Sequence, residues 1–330
     1  MTTATATPSA LRGAVESPWV GFVLRRLRRL LVSLWVLVTA AFFMIHLIPG
    51  DPVRASLGAT APQELVEARR EALGLNDPLW QQYTDYLRNL LTGDWGSSMT
   101  TDVAVSQIIA DRLPATVEIA AYAFVVIMLV ALPVGVLMAA LTRGGRGRRT
   151  ELAFTSSSVV VAAIPDFLLA VGLVYTFGVS LGWVPVAGKS TVESYILPVL
   201  ALALGPMAVL ARIVRVEMLT VLDADYIRTA RAKRLPARWI YLRHALPNAI
   251  TTTLTVGGLL LGGLVAGTVL VENVLAWPGL GSTIVSSILS KDYPVVQGIV
   301  LVYGVGVLVI NLVVDVALAL LDPRSAIRES

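Results

Sequence analysis

Runs in which nearly every position is apolar recur six times along the chain, over about 28–48, 114–141, 152–180, 195–217, 248–271 and 297–321. A hydrocarbon core about 30 Å thick takes roughly 20 apolar helical residues to cross, so each run predicts a membrane-spanning helix. Six crossings return the chain to the side on which it began. Between the first and second runs lies a polar stretch of roughly 65 residues, too long and too patterned for a linker. Thr60 and Gln63 have capping-box spacing ahead of Leu65, Val66 and Leu73, and Asp77-Pro78 offers an N-cap and a first helical residue for a second helix. That second helix stripes Leu79, Tyr83, Tyr86, Leu87, Leu90 and Leu91 along one face and is expected to stop at Gly93. The stripe serves either to pack this external region onto the membrane helices or to receive another protein.

Composition supports an all-α integral membrane protein. Hydrophobic residues make up 56% and charged residues 15%, with a mean hydropathy of +0.75, whereas soluble domains carry roughly 25% charged residues. A net charge of +4 would point to nucleic acid in a soluble chain. Here the basic residues sit beside apolar runs, so membrane lipid is the expected partner and nucleic acid is not. The N-terminal tail (Arg12, Arg25, Arg26, Arg28, Arg29), the 143–149 loop, the 212–243 region and the end with Arg324 and Arg328 hold nineteen of the 26 Lys and Arg. That asymmetry places these segments and both termini in the cytoplasm. The first apolar run closes in Ile48-Pro49-Gly50-Asp51-Pro52 without a small-residue cleavage pattern, so an uncleaved first span is expected.

Catalytic chemistry is scarce. There is no Cys, His46 and His244 are the two imidazoles, and neither His-Glu-x-x-His nor Gly-x-Ser-x-Gly occurs. Gly188-Lys189-Ser190 has the end of a phosphate loop, but Trp183 occupies the required earlier Gly position and the segment falls outside. No catalytic residue, metal or cofactor is expected on this chain.

The region 221–247 is different: a basic, helix-forming segment lodged between two spans. It reads Asp225-Tyr226-Ile227-Arg228-Thr229-Ala230-Arg231-Ala232-Lys233-Arg234, then Arg243-His244-Ala245-Leu246-Pro247. Small Thr229, Ala230 and Ala232 allow close approach of a partner groove, Tyr226 and Ile227 offer apolar anchors, and Arg228, Arg231, Lys233 and Arg234 suit an acidic rim. The alternative is a positive-inside loop without a partner. The spacing resembles the coupling loop of binding-protein-dependent ABC importers, whose generic pattern falls on Arg228-Thr229-Ala230, Arg234, His244 and Leu246-Pro247. The fuller string is similar to the dipeptide and oligopeptide branch, first-permease type, with Arg234 standing where that branch has Gly. In that place Arg either takes a left-handed conformation at roughly 1 kcal/mol or the turn differs, with Pro236 stopping the helix.

Further stretches carry the same resemblance: Leu47-Ile48-Pro49-Gly50-Asp51-Pro52, Gly93-Asp94-Trp95-Gly96-Ser97-Ser98, Arg112-Leu113-Pro114-Ala115-Thr116-Val117-Glu118, Glu272 with Trp277-Pro278-Gly279-Leu280-Gly281, and Leu321-Asp322-Pro323-Arg324. The resemblance implies the type I importer permease fold in a bacterial inner membrane: a tail over 1–22, a first span with external helices over 23–113, a core over 114–322 and a tail over 323–330. It implies partners too: a second homologous permease, two ABC ATPases holding ATP and Mg, and an extracytoplasmic peptide-binding protein. The cargo implied is di- or oligopeptide, with nickel, glutathione or oligosaccharide as alternatives; an ATP-independent channel or membrane enzyme is the reading from another class. Asp225 through Arg234 with Leu246 and Pro247 would couple to the ATPases, Asp166 and Glu118 would line the path, and Glu272, Trp277, Pro278, Gly279 and Gly281 would form an external gate or docking element.

Asp166, directly after Pro165, lies where a charge costs about 2.5 to 3.5 kcal/mol. Either it faces the path and meets a peptide amine, or it caps the Pro-broken helix or pairs with another span; the free donors at a Pro break favour the second. Asp315 and Asn311, one turn apart, are expected to bond between helices. Gly258-x3-Gly262 and Gly263-x3-Gly267 permit close packing, within the chain or against a second permease.

Overall fold

The computed structural model describes residues 18–47, 52–58, 60–72, 74–145 and 147–321. Residues 1–17 with Arg12, the Ile48-Pro49-Gly50-Asp51 close of the first span, Leu73, Arg146, Asp322-Pro323-Arg324, Arg328 and the rest of 322–330 lie outside the described residues, as does the side chain of His46.

The chain enters as α1 (Pro18–Leu47), then folds outside the bundle as a short α2 (Pro52–Leu57), α3 (Gln63–Ala72) and α4 (Leu79–Thr92). The expected caps differ from those found. α3 begins at Gln63, so Gln63 cannot close a box with Thr60; its Oε1 instead accepts from Arg54. Pro78 is the N-cap of α4, with no side-chain cap, and the Asp77 carbonyl accepts from Gln82 at 2.7 Å. Gly93 ends α4 as expected, at φ 83, with Asp94 N–H reaching the Asn89 carbonyl at 2.9 Å. The stripe on α4 is spent inwards. Tyr86, Leu87 and Leu90 pack on Val38 and Ala41 of α1 and Leu301, and Tyr83 Oη shares a 2.8 Å hydrogen bond with Thr39. Leu79 and Leu91 point away, Leu91 being 89% exposed.

The core is built on α5 (Val105–Thr142), α6 (Arg148–Ala163) and α7 (Asp166–Leu173), then α8 (Ile196–Leu222), α9 (Asp225–Ala232), α10 (Leu246–Val274), α11 (Leu280–Leu289) and α12 (Tyr293–Leu321). α5 runs straight through Pro114, which the sequence had opening the span. Val105 and Ile109 extend it because they are buried against Leu280, Val295 and Ile299, contacts far away in sequence. α5 and α8 form the central pair through Ala123, Ile127, Ala131, Leu202, Leu210 and Val214. A β-carbon on Gly135 would fall 2.5 Å from Val214 Cβ, so Gly sets this approach.

α1, α5, α8, α10 and α12 are each long and apolar enough to cross a membrane. The third run is not one straight span as expected: α6 and the helix from Asp166 to Ser180, which becomes π-helical from Val174, meet at Pro165 with a 96° bend. The broken pair nevertheless runs from one end of the bundle to the other. Its start is tied to the far end of α8 by Glu151 and Arg215, and the loop after it is tied to the end of α10 by Gly188 N–H on the Leu275 carbonyl at 2.8 Å. α1 and α12 are joined by Arg26 and Asp315 at 2.8 Å, the interhelical role expected of Asp315. Gly258 lies against Val314, and Gly262 against Asn311 and Val307, so the first Gly motif works within the chain. α11, ten residues and too short to span, was missed by the sequence reading.

Candidate functional site

α9 starts where Ala224 turns extended and Asp225 meets the positive end of the helix. Ile227 and Ala230, three apart, are buried; Ile227 joins Leu222, Ile240 and Ala245 in the core. Tyr226, Arg228, Thr229, Ala232, Lys233 and Arg234 remain exposed. Ile227 and Ala230 thus hold α9 to its own bundle, and the side chains left open are the exposed ones. Arg228 pairs with Asp225 at 3.1 Å on the open face, an interaction worth little in water. Burial pushes the Tyr226 hydroxyl pKa up.

The end of α9 is a Schellman turn. Arg234 N–H reaches the Arg231 carbonyl at 2.8 Å and Leu235 N–H the Ala230 carbonyl at 3.4 Å, with Arg234 at φ 54. Arg234 thus adopts the left-handed conformation that glycine takes most readily, and Pro236 follows as the N-cap of the next turn, Ala237–Trp239. Ile240–Ala245 is π-helical and runs into α10, with Leu246 and Pro247 in its first turn.

Beneath α9, arginines fasten it to the bundle. The Leu222 carbonyl at the end of α8 accepts from Arg143 at 2.9 Å and from Arg231 at 3.1 Å, so Arg231 is committed inwards. Arg143 also pairs with Asp223 at 3.1 Å. Arg215, 8% exposed, donates to Thr142 Oγ1 at 2.9 Å and Glu151 Oε1 at 2.6 Å, joining α5, α6 and α8. A displacement of α9 therefore reaches three helices through bonded groups.

At the opposite end, Glu118 Oε2 accepts from Lys189 Nζ at 2.5 Å and Tyr195 Oη at 2.6 Å. Lys189 also lies over the Tyr195 and Trp277 rings, 5.7 and 5.8 Å from their centroids. The hydrogen bond to Glu118 raises the Lys189 pKa. Glu118, expected on the path, is thus engaged by the loop between the third and fourth crossings.

Glu272 and Trp277 are 0% exposed, and Gly279 and Gly281 are buried, with Pro278 partly so. Of the residues expected in an external gate or docking element, all but Pro278 therefore face the interior. Glu272 Oε2 accepts from Gly281 N–H at 2.7 Å and Ser282 N–H at 3.2 Å, satisfying the start of α11. Trp277 Nε1 donates to the Ala115 carbonyl at 3.0 Å, and Leu280 N–H to Thr116 Oγ1 at 2.8 Å. A β-carbon on Gly279 would come 2.6 Å from Thr116 Oγ1.

Asp166 is the first residue of α7, and no side chain caps that helix. Among the described residues its carboxylate has no hydrogen-bond or ion-pair partner, so the expected capping or pairing role is not met. It lies by Gly205 of α8 and Gly267 of α10.

Sequence reasoning missed Asp292, which accepts from Ser98 Oγ, from Met99 N–H at 2.9 Å and from Thr100 Oγ1 at 2.9 Å, clamping the entry to α5 against α12. It also missed Arg215 and Lys189, whose partners lie 64 and 71 residues away. No short-range pattern marks such pairs.

Residues 131–327 match the family described as binding-protein-dependent transport system inner membrane component, and residues 19–120 match its N-terminal counterpart. The chain is 36% identical over 304 residues to the glutathione transport system permease protein GsiC of Escherichia coli, covering 92% of this chain and 98% of that protein. The GsiC proteins of Shigella flexneri and Shigella dysenteriae give the same identity and coverage. Among solved structures, a chain of the MetNI methionine ABC transporter, described as inward facing, superposes with a TM-score of 0.52 at 20% identity. That match covers 66% of this chain and 97% of the MetNI chain.

Proposed function

Because the chain belongs to the binding-protein-dependent transport system inner membrane component family, and is thus a permease subunit of an ABC importer, we propose that it imports small peptides. In this reading ATP and Mg are held by two partner ATPases, and this chain, without a cofactor of its own, forms the path with a second homologous permease. An extracytoplasmic binding protein delivers the cargo, and both termini lie in the cytoplasm, as the basic residues favour.

The observation that carries the coupling role is α9. Its outer face presents Tyr226, Arg228, Thr229, Ala232, Lys233 and Arg234, while Arg231 ties its base to the Leu222 carbonyl, which Arg143 after α5 also holds. ATPase closure pushes this face, and the Arg215 junction passes the movement to α5, α6 and α8. Leu246 and Pro247 sit beyond the π-helical stretch, where wider turns allow rotation of the α9 region relative to α10. At the other end, the buried Glu272–Gly281 fastening and the Lys189–Glu118 pair act as an external gate. The 36% identity to glutathione permeases favours glutathione, itself a small γ-linked peptide, as the second reading of the cargo.

The test is retention of ATPase by the solubilised subunit, with Ala232→Trp on the outer face as probe. Loss of ATPase and of ATP-driven uptake is expected. Wild-type chain that retains no ATPase when co-expressed with it, or an Ala232→Trp variant that assembles and transports normally, defeats the coupling role. Uptake of trialanine, glutathione and Ni(II) by the complex in liposomes decides between the cargoes.

A further inference from the structure

Among the described residues, Asp166 is a carboxylate without a hydrogen-bond or ion-pair partner, at a break in an apolar helical run. The chain turns by 96° at Ile164-Pro165, and α7 starts with Asp166 itself. Two glycines line the side chain: a β-carbon on Gly205 would lie in ordinary contact at 3.5 Å from Oδ1, and one on Gly267 slightly closer, at 3.3 Å from Oδ2. The carboxylate borders an open pocket of about 390 Å³ whose other walls are Ala162–Phe167, Ala266, Gly267 and Leu270. Gly267 is seven residues before the end of α10 and Gly205 nine residues after the start of α8. At 1.5 Å per residue the carboxylate therefore sits about 10 to 14 Å below the Trp277 end of the bundle. That is beyond the external gate and well short of α9.

A carboxylate at this depth needs water or a cation beside it. The neighbouring side chains are apolar, and among the described residues no Lys, Arg or His bonds to it. The pocket is the opening through which a partner can reach it. A metal ion is poorly served, since one carboxylate supplies at most two oxygens and no metal-holding group of His, Cys, Asp or Glu exists among the described residues. An ammonium group is well served. It has three N–H donors, and Ala162 and Ala163, whose carbonyls the Pro165 break deprives of helical donors, border the same pocket. Resting on the importer reading above, we propose that Asp166 is the cargo-binding carboxylate of the path, holding the protonated primary amine of a small peptide as it passes the external gate.

The complex in liposomes, with ATPases, second permease and binding protein, is compared for ATP-driven uptake of trialanine and glutathione. Asp166→Asn keeps the shape and removes the charge, and loss of a charge-assisted hydrogen bond predicts a fall in uptake of about tenfold or more. Asp166→Glu is expected to restore most of it. Unchanged uptake by Asp166→Asn overturns the amine role and leaves the importer reading standing. A wild-type complex that takes up neither probe with ATP defeats the peptide reading itself. Asp166→Cys then tests the site without transport, because the chain has no other Cys. Labelling by a membrane-impermeant thiol reagent is expected, because the pocket beside the residue is open. No labelling overturns the proposal.

Discussion

Arg234 holds its backbone at φ 54, where a β-carbon meets the following carbonyl, and it does so inside an intact Schellman turn. Glycine would keep both hydrogen bonds and relieve the strain. Arg234→Gly is therefore expected to stabilise the chain by about 1 kcal/mol, seen as a higher thermal midpoint of the purified complex. A lower midpoint would show that the guanidinium has an offsetting contact. The same turn occurs at Ala276 and Lys291, at φ 46 and φ 59, with Trp277 N–H on the Glu272 carbonyl and Asp292 N–H on the Ser287 carbonyl, each at 2.8 Å. Gly93 announced its turn in the sequence, whereas Ala276 and Lys291 did not, because tertiary contacts on either side impose their conformation.

Helices in this chain are joined less by surface charge than by a few sequestered junctions. The Arg215 junction is the clearest, since its guanidinium is nearly buried while Glu151 is 39% exposed. Removing Glu151 leaves a cation out of water, although its partner's exposure reduces the penalty from that of a fully buried pair. Glu151→Ala is expected to destabilise by about 1 to 2 kcal/mol, measured by thermal unfolding. Adding Arg215→Met should cost less than the sum of the two single changes, because both charges then vanish together. Strict additivity would mean that the groups do not act as a unit. The third crossing shows the opposite case: its apolar run was plain in the sequence, but the size of the bend at Pro165 was not. A proline marks where a helix loses a donor, and the packing of α8 and α10 against Asp166–Leu173 sets the direction the chain then takes.

Across the whole molecule, the Arg215 junction and Lys233 belong to one end of the bundle, and Ser190 to the other. With no native Cys, Lys233→Cys and Ser190→Cys can be placed singly. An impermeant thiol reagent is expected to reach Ser190→Cys in intact cells and Lys233→Cys only after permeabilisation; labelling of both from one side would mean that α8, the helix between them, does not cross. The sequence by itself determined what depends on local chemistry: six apolar runs, an amphipathic outer region, the basic segment at α9 and the family letters it carries. Each follows from transfer of side chains into hydrocarbon or from helix propensity, quantities additive along the chain. Only the tertiary structure decided which face of α9 is free, that Trp277 and Glu272 are interior, and that Asp166 lies beside two glycines with no bonding partner among the described residues. Those outcomes depend on which distant helices come within bonding distance, and close packing fixes that for the molecule as a whole.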